Sequence, residues 1–420
     1  MIKTITQNAL FKNSAIFFAG SMLANILNYA FHLVVGRMVS IEVYGEIESL
    51  VSLINIISIP ALTITMIATR YCAEYKANRD KSGTYQIIRY LNRKVFTYGV
   101  PVFLLAICLT PLASNFLKIE NKLALLIVWL MMFGSFFAAI NTGALNGWQK
   151  FKNTSIIGIL GVVVKLIFGI VFIKIGLELS GVMGSFALGM IASYIASWLF
   201  LKFIFGRKKH NNEESRAIDL GAIKKYAISL FLGNLAINIL GNVDMVIAKS
   251  NLDSFDAGWY GGLTIASKTI FFATGVIATV LFSMSAEDKY KNKKSNNLRN
   301  ALILVGLGSV VATIIFFIAP GFILSILFGD KYIGAASYLG WFALMVSIFS
   351  VNNLIFQYLL SLQKTRFIYS LLAVAIIGGG AILLFGKSIA DILMLMIGAQ
   401  IISVIIGIVY LRLYKNDDKK

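Results

Sequence analysis

Four prolines, two cysteines and two histidines in 420 residues are too few for several classes of protein at once. So little proline, with no low-complexity tract, excludes a fibrous or disordered chain. Cys72 and Cys108 stand 36 residues apart, the first in a basic loop and the second inside an apolar run. They have neither metal-ligand spacing nor a disposition to pair, and read as free thiols. His32 and His210 add no zinc spacing, and no Walker loop, GxSxG elbow or acidic metal cluster occurs. The expectation is no metal site, no catalytic constellation and no ATP-driven step: not an enzyme. Charge is scarce as well, at 14% of residues, where a soluble domain has about a quarter.

Apolar residues fill the space that charge leaves. They make up 58% of the chain, with a mean hydropathy of +0.81. A membrane-spanning helix uses about 20 of them, which predicts roughly a dozen spans. Apolar runs fall at twelve places: 14–36, 45–69, 94–113, 122–143, 153–175, 181–205, 226–249, 259–284, 299–319, 333–360, 366–385 and 389–412. The first is too long for a signal-peptide core and has no small-residue cleavage site after it, so it reads as a retained span. The expected fold class is an all-α polytopic membrane protein with about 12 transmembrane helices.

Acidic residues number 19 against 38 Lys and Arg, a net charge of +19. Such an excess in a soluble protein would point to nucleic acid. Here the distribution supplies another cause. The termini and the even-numbered connections hold 28 of the Lys and Arg, and the odd-numbered connections hold 7. Lys165, Lys202 and Lys268 lie within the runs themselves. This bias predicts a multi-pass protein of the cell (inner or plasma) membrane with both termini cytoplasmic, and removes nucleic acid as a partner. No outward connection exceeds about a dozen residues, so no catalytic domain fits there.

The charge pattern also divides the chain. Residues 1–13 form a cytoplasmic N-terminus, 14–205 an N-terminal six-helix lobe, and 206–225 a polar inter-lobe linker. A second six-helix lobe follows over 226–412, then a cytoplasmic tail, 413–420. Sliding the second half back by 212 to 216 residues aligns Val43-Tyr44-Gly45 with Trp259-Tyr260-Gly261. The same shift aligns Leu145 to Lys152 with Leu359 to Arg366, and brings Pro111 near Pro320. An even number of spans per half means that both halves insert alike, as two pseudo-symmetric lobes around a central cleft.

Within the runs, polar residues gather in stripes at helical spacing. A lysine at bilayer depth costs about 2.5–3.5 kcal/mol, so Lys165 and Lys268 each require a reason. Lys268 shares a face with Thr264, Gly275 and Thr279; it either faces a wet cleft as a cation for an anionic substrate or snorkels to the interface. Lys165 lies mid-span on a face with Gly158, Gly161 and Gly169. It either lines the cleft or pairs with a buried carboxylate. In the first span Ser21, Asn25, Asn28 and His32 form one stripe, which must face protein or water. Arg37 follows as a cleft rim or an interfacial anchor. The seventh span carries Asn234, Asn238 and Asn242 at steps of four. Asp244 beside them is a proton or cation site, or the counter-charge of Lys268 or Lys165. His32 could relay a proton. Glu48, Ser52 and Asn55 make a shorter stripe in the second span, and Glu46 and Glu48, near its outer end, read as solvated.

Three stretches carry a family resemblance: Val34 to Gly45, Leu145-Asn-Gly-Trp-Gln149-Lys150-Phe151-Lys152, and Gly241-Asn-Val-Asp244 through Gly258-Trp259-Tyr260. Through them the chain resembles the multidrug/oligosaccharidyl-lipid/polysaccharide (MOP, MATE-like) exporter superfamily. The closer likeness is to its polysaccharide branch, the O-antigen/teichoic-type flippases of lipid-linked oligosaccharides. The resemblance implies a V-shaped pair of six-helix bundles and a cationic cavity for the (pyro)phosphate and sugars of a polyprenyl-linked glycan, with alternating access as the mechanism. Lys268 occupies the place where relatives, including peptidoglycan-precursor flippases, carry a basic cavity residue; this chain has twelve spans where those have fourteen. Lys268, Lys165, Asn25, Asn28, Arg37, Asn234, Asn238 and Asn242 are the implied cleft residues, with Asp244 and His32 for H+ or Na+ coupling and no cofactor. Implied partners are the lipid-linked oligosaccharide, membrane lipids and polysaccharide polymerase or assembly proteins. The alternative is an ion-coupled multidrug or cation antiporter of the same superfamily, which would favour carboxylates in the cleft.

Overall fold

A chain so apolar can satisfy its backbone inside a membrane only by helices or a closed barrel, and this one is helical. The computed structural model describes residues 2–205, 220–290, 296–362 and 365–417. Residues 206–219 of the expected linker, with His210, lie outside the described residues, as do Gln363, Lys364 and the tail from 418. The helices of the first half are α1 (Ile2–Met38), α2 (Ile41–Ile57), α3 (Ile59–Ala77), α4 (Lys81–Cys108), α5 (Thr110–Leu117), α6 (Lys122–Gly147), α7 (Phe151–Lys174), α8 (Glu178–Phe200) and α9 (Lys202–Phe205). Those of the second are α10 (Leu220–Asn251), α11 (Ser254–Tyr290), α12 (Asn297–Ile318), α13 (Pro320–Phe328), α14 (Ala336–Ser361), α15 (Phe367–Phe385) and α16 (Ile389–Asp417). All twelve apolar runs fall on helical segments. Among the described residues ten helices are long and apolar enough to cross a membrane, or eleven if the bent pair α2 and α3 counts as one.

The prolines explain the breaks. Pro60, Pro111 and Pro320 sit in the first turns of α3, α5 and α13, where a missing N–H is harmless, and each ends the helix before it. The repeat survives as matched elements. α6 and α14 are both 26 residues long and 214 apart, and α2 with α3 spans as many residues as the unbroken α11, 213 further on. Pro60 has no counterpart in α11, so only the first copy breaks.

The helices group into two compact units. Unit 1 is Met1–Val39 with Ile57–Phe231, and unit 2 is Ser40–Ile56 with Leu232–Lys420. In unit 1, α6 packs on α3, α4 and α8, and α7 packs between α1 and α8. In unit 2, α14 packs on α11, α12 and α16. The sequence reading counted 40–56 in the N-terminal lobe, whereas α2 belongs to unit 2. Close backbone approach is the reason. A Cβ on Gly45 would lie 2.7 Å from the Gly258 nitrogen, and one on Gly258 would strike the Ile41 carbonyl oxygen. Tyr44, fully buried, packs its ring against Phe328 and Tyr332 at 5.6 and 6.2 Å.

Glycine plays the same part in unit 1. Gly143 and Gly147, four apart, let α6 lie on α3: a Cβ at either would come within 2.6 Å of a carbonyl oxygen, of Thr65 or Thr69. The turn after α6 closes with Lys150 N–H on the Leu145 carbonyl at 2.9 Å and Gln149 left-handed at φ +57°. The Leu145–Lys152 motif is therefore a helix end and a packing groove. Gly147→Val should destabilise the detergent-solubilised protein by about 1–3 kcal/mol, whereas Gly380→Ala, with nothing within 4 Å of the added methyl, should not. Equal thermal unfolding midpoints for the two variants would contradict this packing.

Candidate functional site

Lys165 of unit 1 and Lys268 of unit 2 each meet an asparagine amide of a neighbouring helix. In unit 1, Gly161 and Gly189 let α7 and α8 approach until a Cβ on Gly189 would lie 2.5 Å from the Gly161 carbonyl oxygen. Lys165, one turn beyond Gly161, is 6% exposed. Its Nζ donates to Asn28 Oδ1 on α1 and lies 4.2 and 4.3 Å from the ring centroids of Phe31 and Phe186. Amide oxygen and aromatic faces are what a desolvated ammonium accepts in place of water. His32, 5% exposed, meets Phe31 edge to face at 5.5 Å. Beside the lysine a cavity of ≈ 180 Å³ is lined by Gly158, Val162, Phe186, Met190 and Ser193, with Lys165 in its wall.

In unit 2 the polar cluster joins α2, α10 and α11. Lys268, partly buried, donates to Asn242 Oδ1 at 3.4 Å, and the same oxygen accepts from Asn55 Nδ2 on α2 at 3.1 Å. Asp244 is 2% exposed; its Oδ2 accepts the Tyr260 hydroxyl at 2.8 Å, while its buried Oδ1 has no hydrogen-bond partner. Lys268 acts on Asp244 electrostatically. The Thr264 hydroxyl, one turn before Lys268, is buried without a partner too. A buried acceptor and a buried hydroxyl left unmade beside a lysine are uncommon and costly in a folded protein.

The polysaccharide biosynthesis protein family matches residues 10–282, about two thirds of the chain. The chain belongs to that family. Among solved structures it is similar to a multidrug resistance MATE family transporter of the MOP superfamily in an inward-facing conformation. That likeness has a TM-score of 0.70 at 13% identity, over 92% of each chain. It is also similar to the lipid II flippase MurJ in an inward closed conformation, with a TM-score of 0.68 at 16% identity over 95% of this chain and 87% of that one. A third likeness, at a TM-score of 0.55 and 14% identity over 97% and 96%, is to a MOP superfamily transporter from Pyrococcus furiosus Vc1 whose binding pocket has reverse polarity. At these identities the likeness is one of fold. No curated protein matches the chain in sequence.

In this polysaccharide biosynthesis protein the expected residues fall into two groups. Asn28, His32 and Lys165 come together in unit 1. Asn242, Asp244 and Lys268 come together in unit 2. Asn25 and Arg37 are exposed residues of α1. Asn238 and Asn242 turn their amide nitrogens to the carbonyls of Asn234 and Asn238 on their own helix, at 2.9 and 3.1 Å. Of the two lysines proposed as counter-charge for Asp244, Lys268 is the one in the same unit.

The glutamates of α2 correct the sequence reading. Glu48, expected in solvent, is 2% exposed. Glu46 pairs at 3.6 Å with Lys249, one of the seven Lys and Arg assigned to the odd-numbered connections and itself 1% exposed. Because α2 packs inside unit 2, these residues face protein where a free helix end would face water. Phe31 and Phe186 were not singled out. Tyr260 stood in the sequence only as the repeat partner of Tyr44 and as the end of the Gly258-Trp259-Tyr260 stretch.

The Tyr260–Asp244 bond carries a test. Tyr260→Phe leaves both carboxylate oxygens of a buried Asp244 without this donor, and should cost about 1–3 kcal/mol. In a double-mutant cycle with Asp244→Asn the two losses should be strongly non-additive. Additive losses in denaturant unfolding would mean that the bond contributes nothing.

Proposed function

We propose that the protein is a flippase that carries a polyprenyl-(pyro)phosphate-linked oligosaccharide from the cytoplasmic to the outer leaflet for cell-surface polysaccharide synthesis. The observation that carries this reading is the pair of intramembrane lysines, Lys165 and Lys268, one in each unit and each within a buried polar cluster. A cationic interior suits an anionic head group: phosphate oxygens accept charge-assisted hydrogen bonds from ammonium groups, and sugars accept the amides and ring faces that surround them. Membership of a polysaccharide biosynthesis family supports the same substrate class. Alternating access between the two units is the mechanism we favour. The 28-to-7 bias of Lys and Arg supports cytoplasmic termini, the orientation in which this reading has the lipid-linked substrate enter from the side where activated sugars are made.

A cation antiporter is the second reading, and Asp244 is the observation that favours it. A deeply buried carboxylate with one unpartnered oxygen is the group such a protein would use for a cationic drug or a coupling ion. In this sequence it is accompanied by Lys268, which works against a cationic substrate at that spot.

Reconstitution in liposomes with a fluorescent polyprenyl-diphosphate glycan separates the two. Lys268→Ala should lower the rate of protein-dependent translocation about tenfold or more, since one charge-assisted contact is worth about 1.5–3 kcal/mol. Lys268→Arg should retain most of it. Undiminished transport by Lys268→Ala would remove the lysine from the site. Transport of cationic dyes, with none of the glycan, would replace the flippase reading by the antiporter.

A further inference from the structure

A third gathering of positive charge lies away from both intramembrane clusters, at the end of unit 1 where α3, α4, α7 and α9 meet. The Lys81 ammonium is 5.6 Å from the centroid of the Phe203 ring, and that of Lys150 is 5.5 Å from the same ring. The two are thus within about 11 Å of each other. Lys76 donates to Gln149 Oε1 at 2.5 Å and is an electrostatic neighbour of Lys150. Lys202, on α9, lies over Trp198 at 5.4 Å. Trp148 ties the floor together, its ring edge to face with Phe203 at 5.3 Å and its Nε1 donating to Thr84 Oγ1 at 3.2 Å.

Like charges held this close repel, and a protein with no use for them has every reason to let flexible lysines swing apart. Here aromatic faces and an amide hold them in place. Among the described residues no carboxylate lies within ion-pair distance of Lys76, Lys81 or Lys150. Asp80, the nearest in sequence to Lys81, is occupied as the cap of α4, its Oδ1 accepting from Gly83 N–H at 2.7 Å, and Glu74 is exposed. The α7 helix begins at this spot with Lys150 as its cap residue and no side-chain bond to its first turn, so the positive end of that helix adds to the field.

We propose that Lys76, Lys81, Lys150 and Gln149 form a docking site for the diphosphate head group of a lipid-linked substrate before it reaches the intramembrane lysines. Three ammonium groups and an amide gather around the Phe203 and Trp148 rings, a set that matches a doubly charged diphosphate better than the single charge of a phospholipid diester. The proposal rests on the flippase reading for its ligand and on the charge bias for its cytoplasmic side. It assigns to the Leu145–Lys152 turn a binding role beyond helix termination, since Gln149 and Lys150 both come from it.

The test is binding by the purified full-length protein in detergent, with a short-chain polyprenyl diphosphate as probe, and inorganic pyrophosphate and phosphatidylglycerol as competitors. In Lys76→Gln/Lys81→Gln/Lys150→Gln the affinity for the polyprenyl diphosphate should fall about tenfold or more. In Lys268→Ala it should fall less, and inorganic pyrophosphate should compete more effectively than phosphatidylglycerol. An unfolding midpoint for the triple variant close to that of wild type excludes misfolding as the cause; should it shift, the three single substitutions give the same reading at smaller amplitude. Unchanged affinity in the triple variant would overturn the site. Phosphatidylglycerol competing as well as pyrophosphate would overturn its assignment to a diphosphate. Because binding is read without translocation, loss of the site and failure of the flippase reading remain separate results.

Discussion

Every polar group within the membrane-spanning helices needs a partner supplied by the protein, because hydrocarbon supplies none. That constraint organises this molecule from its glycines to its lysines. Helices approach closely where Gly161, Gly169 and Gly189 remove side chains, Gly169 against Phe31 of α1 and Gly161 against Gly189 of α8, and Asn28, Phe31 and Phe186 of those helices meet the Lys165 ammonium. In unit 2 the same requirement joins three helices through Asn55, Asn242 and Lys268. Around Lys165 packing and polar chemistry are thus one design.

Where the constraint is left unmet, function is the natural explanation. Asp244 Oδ1 and the Thr264 hydroxyl are buried without partners next to Lys268, whereas Gln400, also buried, donates to the Leu240 carbonyl at 2.7 Å and accepts from Asn352 at 3.2 Å. Unsatisfied groups stabilise nothing by themselves, and they are the ones a bound head group or ion would complete. The basic cluster around Phe203 is a complementary case, with three ammonium groups and no carboxylate within ion-pair distance among the described residues.

Much of the fold was legible because hydropathy and the repeat are long-range, redundant signals. The twelve runs fall on helices, and the repeat shift of 212 to 216 residues that pairs Tyr44 with Tyr260 also pairs α6 with α14. The Asn28–His32 stripe and the glycine face of Lys165 were visible as periodicities on two separate helices. What spacing could not give was which helices meet. That α2 leaves its own half follows from contacts of Gly45 and Tyr44 with residues more than 200 positions away, and the one local sign was Pro60 interrupting the second run. Burial of Glu48 and Lys249 was missed for the same reason: a charge near the end of an apolar run reads as solvated until its neighbour is known.

The central claim is that the buried lysines select an anionic lipid. The most direct measurement compares translocation of two lipids bearing the same glycan and polyprenyl chain, one joined by a diphosphate and one by a neutral linkage, in proteoliposomes of the wild-type protein. The account predicts that the diphosphate-linked lipid crosses and the neutral one stays at the rate of protein-free vesicles. Equal rates for both would contradict it, because the lysines would then have no part in choosing what is carried.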